Sequence, residues 1–169
     1  MSIKIPVFVS APSLLNPAQQ SIYDYVVGAL AEEKLQPRSL GRSDFPESDP
    51  ITEVYYVARA CYGGLILGFS QIEAKTGVIR RGTPGEVSLE KPLILPTPWN
   101  QIEGGILAAL RKPLIVFAEK GVSGGVFDQG AIRGYLQVFD PAAMSVHDWD
   151  QIRERIRHWT AIVRTTYRS

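Results

Sequence analysis

Short apolar runs alternate with amphipathic stretches along most of this chain. Five runs rich in apolar and β-branched residues predict strands, at 4–9, 35–40, 64–68, 114–117 and 134–139. Helices are predicted where apolar residues recur at helical spacing, beginning at Asn16-Pro17, Asp49-Pro50 and Thr97-Pro98, with a long last helix over 148–167. The alternation predicts an α/β fold, a flavodoxin-like three-layer sandwich with a mainly parallel five-stranded sheet.

Residues 69–96 interrupt this alternation. Two short runs, 77–80 and 86–89, flank the turn sequence Gly82-Thr83-Pro84-Gly85, which predicts a hairpin-like insertion. We expect the chain to form one domain over 1–169. A structureless loop of this length is unusual in a compact domain unless it is a lid or has structure of its own. The glycines, prolines and polar residues of 69–96 suggest modest local stability, so we expect a mobile cover over a cleft.

Composition narrows the classes of protein that fit. The net charge of +1 gives no field that would recruit nucleic acid. Cys61 is the one cysteine, which excludes an internal disulfide and favours the reducing cytoplasm. No apolar run is long enough to cross a membrane. His147 and His158 lack the spacing of metal ligands, so no metal site is expected.

The helix start after Thr97 carries the clearest chemistry. Trp99 and Glu103 stand four residues apart there, and ligands of open α/β sheets bind outside the carboxyl ends of the strands. An aromatic ring can stack on a base, and a carboxylate can act at the neighbouring sugar. The pair therefore points to a nucleotide or nucleoside and to chemistry at a glycosidic bond, with Glu103 as the catalytic residue.

Each of these residues has a structural alternative. Glu103 could belong to a capping box that begins at Asn100, although Thr97-Pro98 is the better helix start and would free Glu103 to face a cleft. Trp99 could be a core residue instead of a stacking platform.

Other candidate ligand contacts flank the same edge of the sheet. Ser10 ends the first strand, where a phosphate or ribose would be met, but a plain turn serine is an equal alternative. The loop after the second strand contributes Arg42, Asp44 and Phe45, whose alternative is a solvated loop. Asn100 follows Trp99 and completes the predicted substrate-binding set.

The order of elements and the Trp99-x-x-x-Glu103 spacing resemble Toll/interleukin-1 receptor (TIR) domains. The run Glu103-Gly104-Gly105, followed by Lys112-Pro113-Leu114-Ile115, also resembles nucleoside 2-deoxyribosyltransferases. These resemblances imply cleavage of a ribosidic bond by Glu103 beside Trp99. The TIR resemblance further implies NAD as the substrate, an immune-effector role such as antiviral defence, and a homo-oligomer that completes its site between subunits.

The chemistry of the leaving group also favours NAD. Nicotinamide on NAD is already cationic, so one carboxylate suffices and no general acid is needed. NAD would be a substrate, and no cofactor is expected. Two alternatives stay open: a domain that binds a nucleotide signal or assembles without catalysis, and a nucleoside 2-deoxyribosyltransferase that exchanges bases.

An apolar stripe on the last helix is a candidate contact surface for the expected oligomer. The stripe consists of Trp149, Ile152, Ile156, Trp159 and Val163, and Tyr55 and Tyr56 add apolar surface on another helix. The alternative is that the stripe packs on the sheet.

Overall fold

The computed structural model describes residues 4–41 and 49–169. The central strands are β1 (Ile5–Ser10), β2 (Leu35–Arg38), β3 (Gly64–Gly68), β8 (Leu114–Glu119) and β9 (Gly134–Phe139). The helices are α1 (Pro17–Glu32), α2 (Pro50–Ala60), α3 (Pro98–Ala109) and α4 (Val146–Arg168). Four short strands lie between β3 and α3: β4 (Ile72–Ala74), β5 (Val78–Ile79), β6 (Val87–Ser88) and β7 (Leu93–Leu95).

The five central strands form one parallel sheet in the order β2-β1-β3-β8-β9. The chain leaves β1 toward β2 and then returns across β1 to β3, so the direction of winding reverses between β1 and β3. Ligands of open α/β sheets bind at the carboxyl side of such a switch point. The prediction of a flavodoxin-like three-layer fold is confirmed.

Helices cover both faces of the sheet. One buried cluster joins α1 and α4 to the sheet through residues such as Ile22, Leu65 and Ile156. The other joins α2 and α3 to the opposite face through residues such as Val54, Leu107 and Val116. All five residues of β3 are buried, as expected for a central parallel strand covered on both sides.

The stripe on α4 belongs to the core. Ile152, Ile156, Trp159 and Val163 are buried against the sheet, and Trp149 is partly buried beside them. The packing alternative therefore accounts for this stripe, and it offers no free contact surface. Tyr55 and Tyr56 on α2 are 40% and 57% exposed. A homo-oligomer remains a prediction.

Helix α4 begins at Val146, earlier than the predicted start at residue 148. Ser145 is the N-cap, and its hydroxyl accepts a hydrogen bond from the backbone N–H of Asp148. The backbone N–H of Ser145 in turn donates to the Asp148 carboxylate, which completes a capping box. Asp148, the predicted first residue of the helix, is therefore the third residue of its first turn.

The insertion at 69–96 contains two antiparallel pairs of strands, one enclosed by the other. The outer pair is β4 with β7, and the inner pair is β5 with β6, at the predicted hairpin. A hydrogen bond from the backbone N–H of Ser70 to the Glu119 carboxylate and a bridge between Ile94 and Val122 connect the insertion to the end of β8. The outer pair was not predicted, because three-residue strands are too short to show alternation.

Hydrogen exchange tests the predicted cover. Strands β5 and β6 are two residues long and exposed, so their amides should exchange fast in the free protein. We expect exchange there to slow when a nucleotide is bound. Slow exchange throughout 69–96 without ligand would contradict a mobile cover and make the segment a fixed part of the fold.

Candidate active site

The N-terminus of α3 lies at the carboxyl edge of the sheet, next to the end of β1. Thr97 is the N-cap, and its hydroxyl oxygen accepts from the backbone N–H of Asn100 at 3.2 Å. Pro98 occupies the first helical position, where its missing N–H leaves no bond unmade. Glu103 therefore lies in the second turn, outside any capping interaction, and the capping-box alternative for Glu103 does not hold.

Gly104 brings this turn of α3 close to the sheet. A Cβ atom at Gly104 would stand 3.0 Å from the side chains of Ile66 on β3 and Val126. Such contacts are tighter than packed side chains normally make, so a larger residue would push the helix outward. The neighbouring Glu103 is held partly buried at the mouth of the switch point by this close approach.

A chain of hydrogen bonds runs beneath Glu103. The Thr97 hydroxyl donates to Asn100 Oδ1 at 3.0 Å, and Asn100 Nδ2 donates to the Ser10 hydroxyl oxygen at 2.8 Å. The Ser10 hydroxyl group is also a polar neighbour of the Glu103 carboxyl group and lowers its pKa. Because the Ser10 oxygen already accepts from Asn100, its own hydrogen is left for Glu103.

Burial sets the acidity of Glu103. Removal from water raises the pKa of its carboxyl group to about 7, and the hydrogen bond from Ser10 opposes part of that rise. A carboxyl group with a pKa near neutrality exchanges protons readily at physiological pH, which suits a general base or a desolvated nucleophile.

Glu103 faces a cleft of about 310 Å³. The described residues that line it are Ala11, Pro12, Ser13, Leu40, Gly41, Pro50, Thr97, Trp99 and Glu103. The Trp99 side chain is 42% exposed and stands at this cleft, so its ring is available for stacking. The volume lies at the lower end of the range for small-molecule sites, as a nucleoside or mononucleotide would require.

The other predicted substrate contacts do not line the cleft in the described part of the structure. Ser10 and Asn100 are each 1% exposed and hydrogen-bond within the protein, below the lining of the cleft. Arg42, Asp44 and Phe45 lie outside the described residues. Gly41 and Pro50, which flank that segment, both line the cleft.

The first turn of α1 offers few N–H donors to an anion. Pro17 has no N–H, and the N–H of Gln19 is already taken by the Asn16 side chain in a capping box. Among the residues that the structure describes, no cluster of metal-ligating side chains occurs.

Two side chains that support the site were not predicted from the sequence. Gln101 donates from Nε2 to Gly124 O at 2.9 Å and accepts at Oε1 from Val126 N at 3.0 Å, so it fixes the loop after β8. Glu119 accepts from Gln19 Nε2 at 2.8 Å. The signal for Glu119 was present, because it is a carboxylate at the end of a buried strand.

A larger cavity of about 460 Å³, here called the basal cavity, lies at the opposite edge of the sheet. It surrounds the beginnings of β8 and β9 and includes Arg111, Arg133, Tyr135, Arg155 and Trp159 in its lining. We do not assign the glycosidic chemistry to it, because no carboxylate is among its described lining residues.

Fold and site together define a flavodoxin-like α/β protein with a partly buried carboxylate at the switch point. No family model and no curated protein matches the chain. Among solved structures, the chain is similar to the Clostridium botulinum CMP N-glycosidase BcmB, with 10% identity and a TM-score of 0.53 over 91% of this chain and 98% of that one.

Two oxidoreductases have comparable similarity. The apo form of the NADH:FMN oxidoreductase EmoB has 13% identity and a TM-score of 0.53, over 95% of this chain and 89% of that one. An oxidoreductase from Corynebacterium diphtheriae has 12% identity and a TM-score of 0.52, over 98% and 97%. At these identities the similarity establishes the shared fold. No helix in the described part of the chain has the length and apolar character needed to span a bilayer.

Proposed function

We propose that this chain cleaves the N-glycosidic bond of a nucleotide, with Glu103 as the catalytic carboxylate. The observation that carries the proposal is the placement of Glu103. It is a desolvated carboxyl group with a pKa of about 7, at the switch point, in a cleft that also presents an exposed tryptophan. The similarity in fold to a CMP N-glycosidase supports the same class of reaction.

In the proposed reaction the bond between C1′ of the ribose and the base nitrogen breaks, and its electron pair leaves with the base. The ionised Glu103 carboxylate stabilises the positive charge that develops on the sugar, or traps it as a glycosyl ester. Water then forms the new C1′–O bond. Where an ester has formed, the bond between C1′ and the Glu103 oxygen breaks in the same step, and the free carboxylate accepts the proton that the water gives up.

NAD is the first substrate to test. Its nicotinamide leaves as a neutral molecule without being protonated, so a single carboxylate is sufficient. A nearby cationic ring would also favour the ionised form of Glu103. On this basis the chain would act as a TIR-like NAD hydrolase. A mononucleotide is the second candidate, favoured by the cleft of about 310 Å³.

The pH dependence of kcat/KM separates these two substrates. Because the pKa of Glu103 in the folded protein is about 7, cleavage of NAD should rise with pH up to about 7 and then level off. A neutral base such as cytosine leaves more easily when protonated. If Glu103 supplies that proton, kcat/KM for cytosine release should fall above pH 7. An NAD profile that is flat from pH 5 to 9 would contradict the assignment to Glu103.

Trp99 should act on substrate binding. We expect Trp99→Ala to raise KM about tenfold with a smaller change in kcat, because stacking of a base on an aromatic ring contributes about 1–3 kcal/mol. Trp99→Phe should retain most of the binding. Tyr56→Ala is a matched control, since Tyr56 is 57% exposed and lies outside the cleft lining. An unchanged KM in Trp99→Ala would remove the stacking role.

Base exchange by a nucleoside 2-deoxyribosyltransferase is the alternative that the same carboxylate supports. Such an enzyme traps the deoxyribosyl group on Glu103 and passes it to a second base instead of water. Incubation of a deoxynucleoside with a second, isotopically labelled base distinguishes the two reactions. Labelled nucleoside would form only in the transfer reaction.

A further inference from the structure

The basal cavity combines an apolar floor with a basic rim. Leu114, Ile115, Trp159 and Ile162 form apolar parts of its lining, and the Trp159 indole N–H is occupied by a hydrogen bond to Pro113 O at 3.0 Å. A second cavity of about 450 Å³ shares Arg111, Lys112, Leu114 and Arg133 with it. The two spaces therefore meet around the beginning of β8.

Three arginines on the rim form no ion pair with a carboxylate of the described residues. Within residues 4–41 and 49–169, no carboxylate oxygen lies within 4.0 Å of a nitrogen of Arg111, Arg133 or Arg155. The Arg155 guanidinium stands over the Tyr135 ring at 4.1 Å, which holds it beside the cavity.

The other two basic groups of the lining are engaged. Lys112 Nζ donates to the carbonyl oxygens of Arg59 and Cys61 at the end of α2, and His158 lies 3.7 Å from a carboxylate oxygen of Glu154. The free positive charge of the basal cavity is therefore concentrated on the three arginines, and the chain as a whole carries a net charge of only +1.

The end of helix α3 places Arg111 at the rim of the basal cavity. Helix α3 ends in a Schellman motif, in which the N–H groups of Lys112 and Arg111 bond to Leu107 O and Ala108 O. Arg111 occupies the left-handed position of that motif, with φ of 54°, where glycine is the unstrained residue.

We propose that the basal cavity binds a small organic anion with an apolar or aromatic body, such as an aromatic carboxylate. The body fills the space over Leu114 and Trp159, and the anionic group pairs with Arg111, Arg133 and Arg155. The apolar body matches the apolar floor and the anionic group matches the arginine rim. Small-molecule sites are mostly apolar in this way, with a few convergent polar groups. Guanidinium groups also bind carboxylates in bidentate geometry.

Two probes of the same shape test the need for charge. By isothermal titration calorimetry, 2-naphthoate should bind at least about tenfold more tightly than 2-naphthamide, which carries the same rings without the charge. Equal affinities for the two probes would overturn the proposal. The indole N–H resonance of Trp159 should shift on addition of 2-naphthoate, and an unchanged resonance would place the probe elsewhere.

Arg111→Gly separates binding from folding. It removes a rim charge and relieves the left-handed backbone, so naphthoate binding should weaken about fivefold or more while the Tm stays equal or rises. Lys34→Gly is the matched control. Lys34 follows the C-cap residue of α1 with φ of 59°, as Arg111 follows that of α3, and it lies outside the two cavities that meet at β8. Equal weakening in both variants would overturn the proposal.

Arg155→Gln provides a second pair on one helix. It should weaken naphthoate binding, whereas Arg153→Gln, which removes a charge paired with Glu32 on the surface of α4, should leave binding unchanged. Sedimentation velocity of the wild type tests whether a second copy of the chain occupies the cavity instead. The wild type could sediment as a dimer that Arg155→Gln dissociates and that naphthoate leaves intact. That result would assign the cavity to a second copy of the chain and overturn the proposal.

Discussion

Replacement of Glu103 by glutamine is expected to lower kcat for base release by at least about a thousandfold, or about 4 kcal/mol of transition-state stabilisation. Glutamine keeps the shape of the side chain and can still accept a hydrogen bond from Ser10. It cannot supply the negative charge that the sugar cation requires, nor accept the proton of the attacking water. Glu90→Gln is the control, because Glu90 is an exposed carboxylate outside the cleft.

The same variant makes a prediction about stability with a definite sign. Burial raises the pKa of Glu103 from its ordinary value of 4.5 to about 7 in the folded protein. The folded state therefore binds more protons than the unfolded state between these values, and stability is lost as pH rises through that window. Above pH 7 the loss is complete, and Glu103→Gln avoids it.

Denaturant unfolding at pH 5 and pH 8 measures this effect. The advantage of Glu103→Gln over the wild type should be about 2 kcal/mol greater at pH 8 than at pH 5, since one pKa unit corresponds to about 1.4 kcal/mol. A variant that is inactive and also much less stable at pH 8 would contradict the catalytic role and favour a structural one.

Asn100→Asp is expected to have the second largest effect, through Ser10. Asn100 Nδ2 now donates to the Ser10 oxygen, which leaves the Ser10 hydrogen for Glu103. An aspartate would accept that hydrogen and place a negative charge close to Glu103. Both changes disfavour the ionised form of Glu103, so its pKa should rise.

The readout is a shift in the pH profile. We expect kcat/KM of Asn100→Asp at pH 7 to fall about tenfold for each unit by which the pKa of Glu103 rises, and to recover partly at higher pH. Ser10→Ala should move the profile in the same direction, and the double variant should show less than the sum of the two effects. A loss of equal size at every pH would assign Asn100 to structure alone.

Local patterns were sufficient for the elements and for one decisive detail of the site. The bounds of β3 and β9 agree with the apolar runs at 64–68 and 134–139. Thr97-Pro98 marked the start of α3 because an N-cap threonine and a proline at the first position act locally. A helix that starts there has Glu103 in its second turn, and this follows from the local sequence without any tertiary contact.

The environment of Glu103 could not be predicted in the same way. Ser10 and Asn100 are 90 residues apart and meet because β1 lies beside β3 in the sheet, an order that hydrophobic periodicity does not encode. The roles expected for Ser10 and Asn100 were contacts with substrate, whereas their amide and hydroxyl groups bond to each other below the cleft. The pKa of Glu103 is a product of that assembly.

The most direct test of the central claim is release of the free base by the purified chain. The protein is incubated at pH 7.5 with NAD, and in parallel with CMP and with a deoxynucleoside, and the products are separated by liquid chromatography. We expect the wild type and Glu90→Gln to release nicotinamide from NAD, or cytosine from CMP, and Glu103→Gln to release neither. Release that persists in Glu103→Gln, or no release from any of the substrates at high protein concentration, would contradict it.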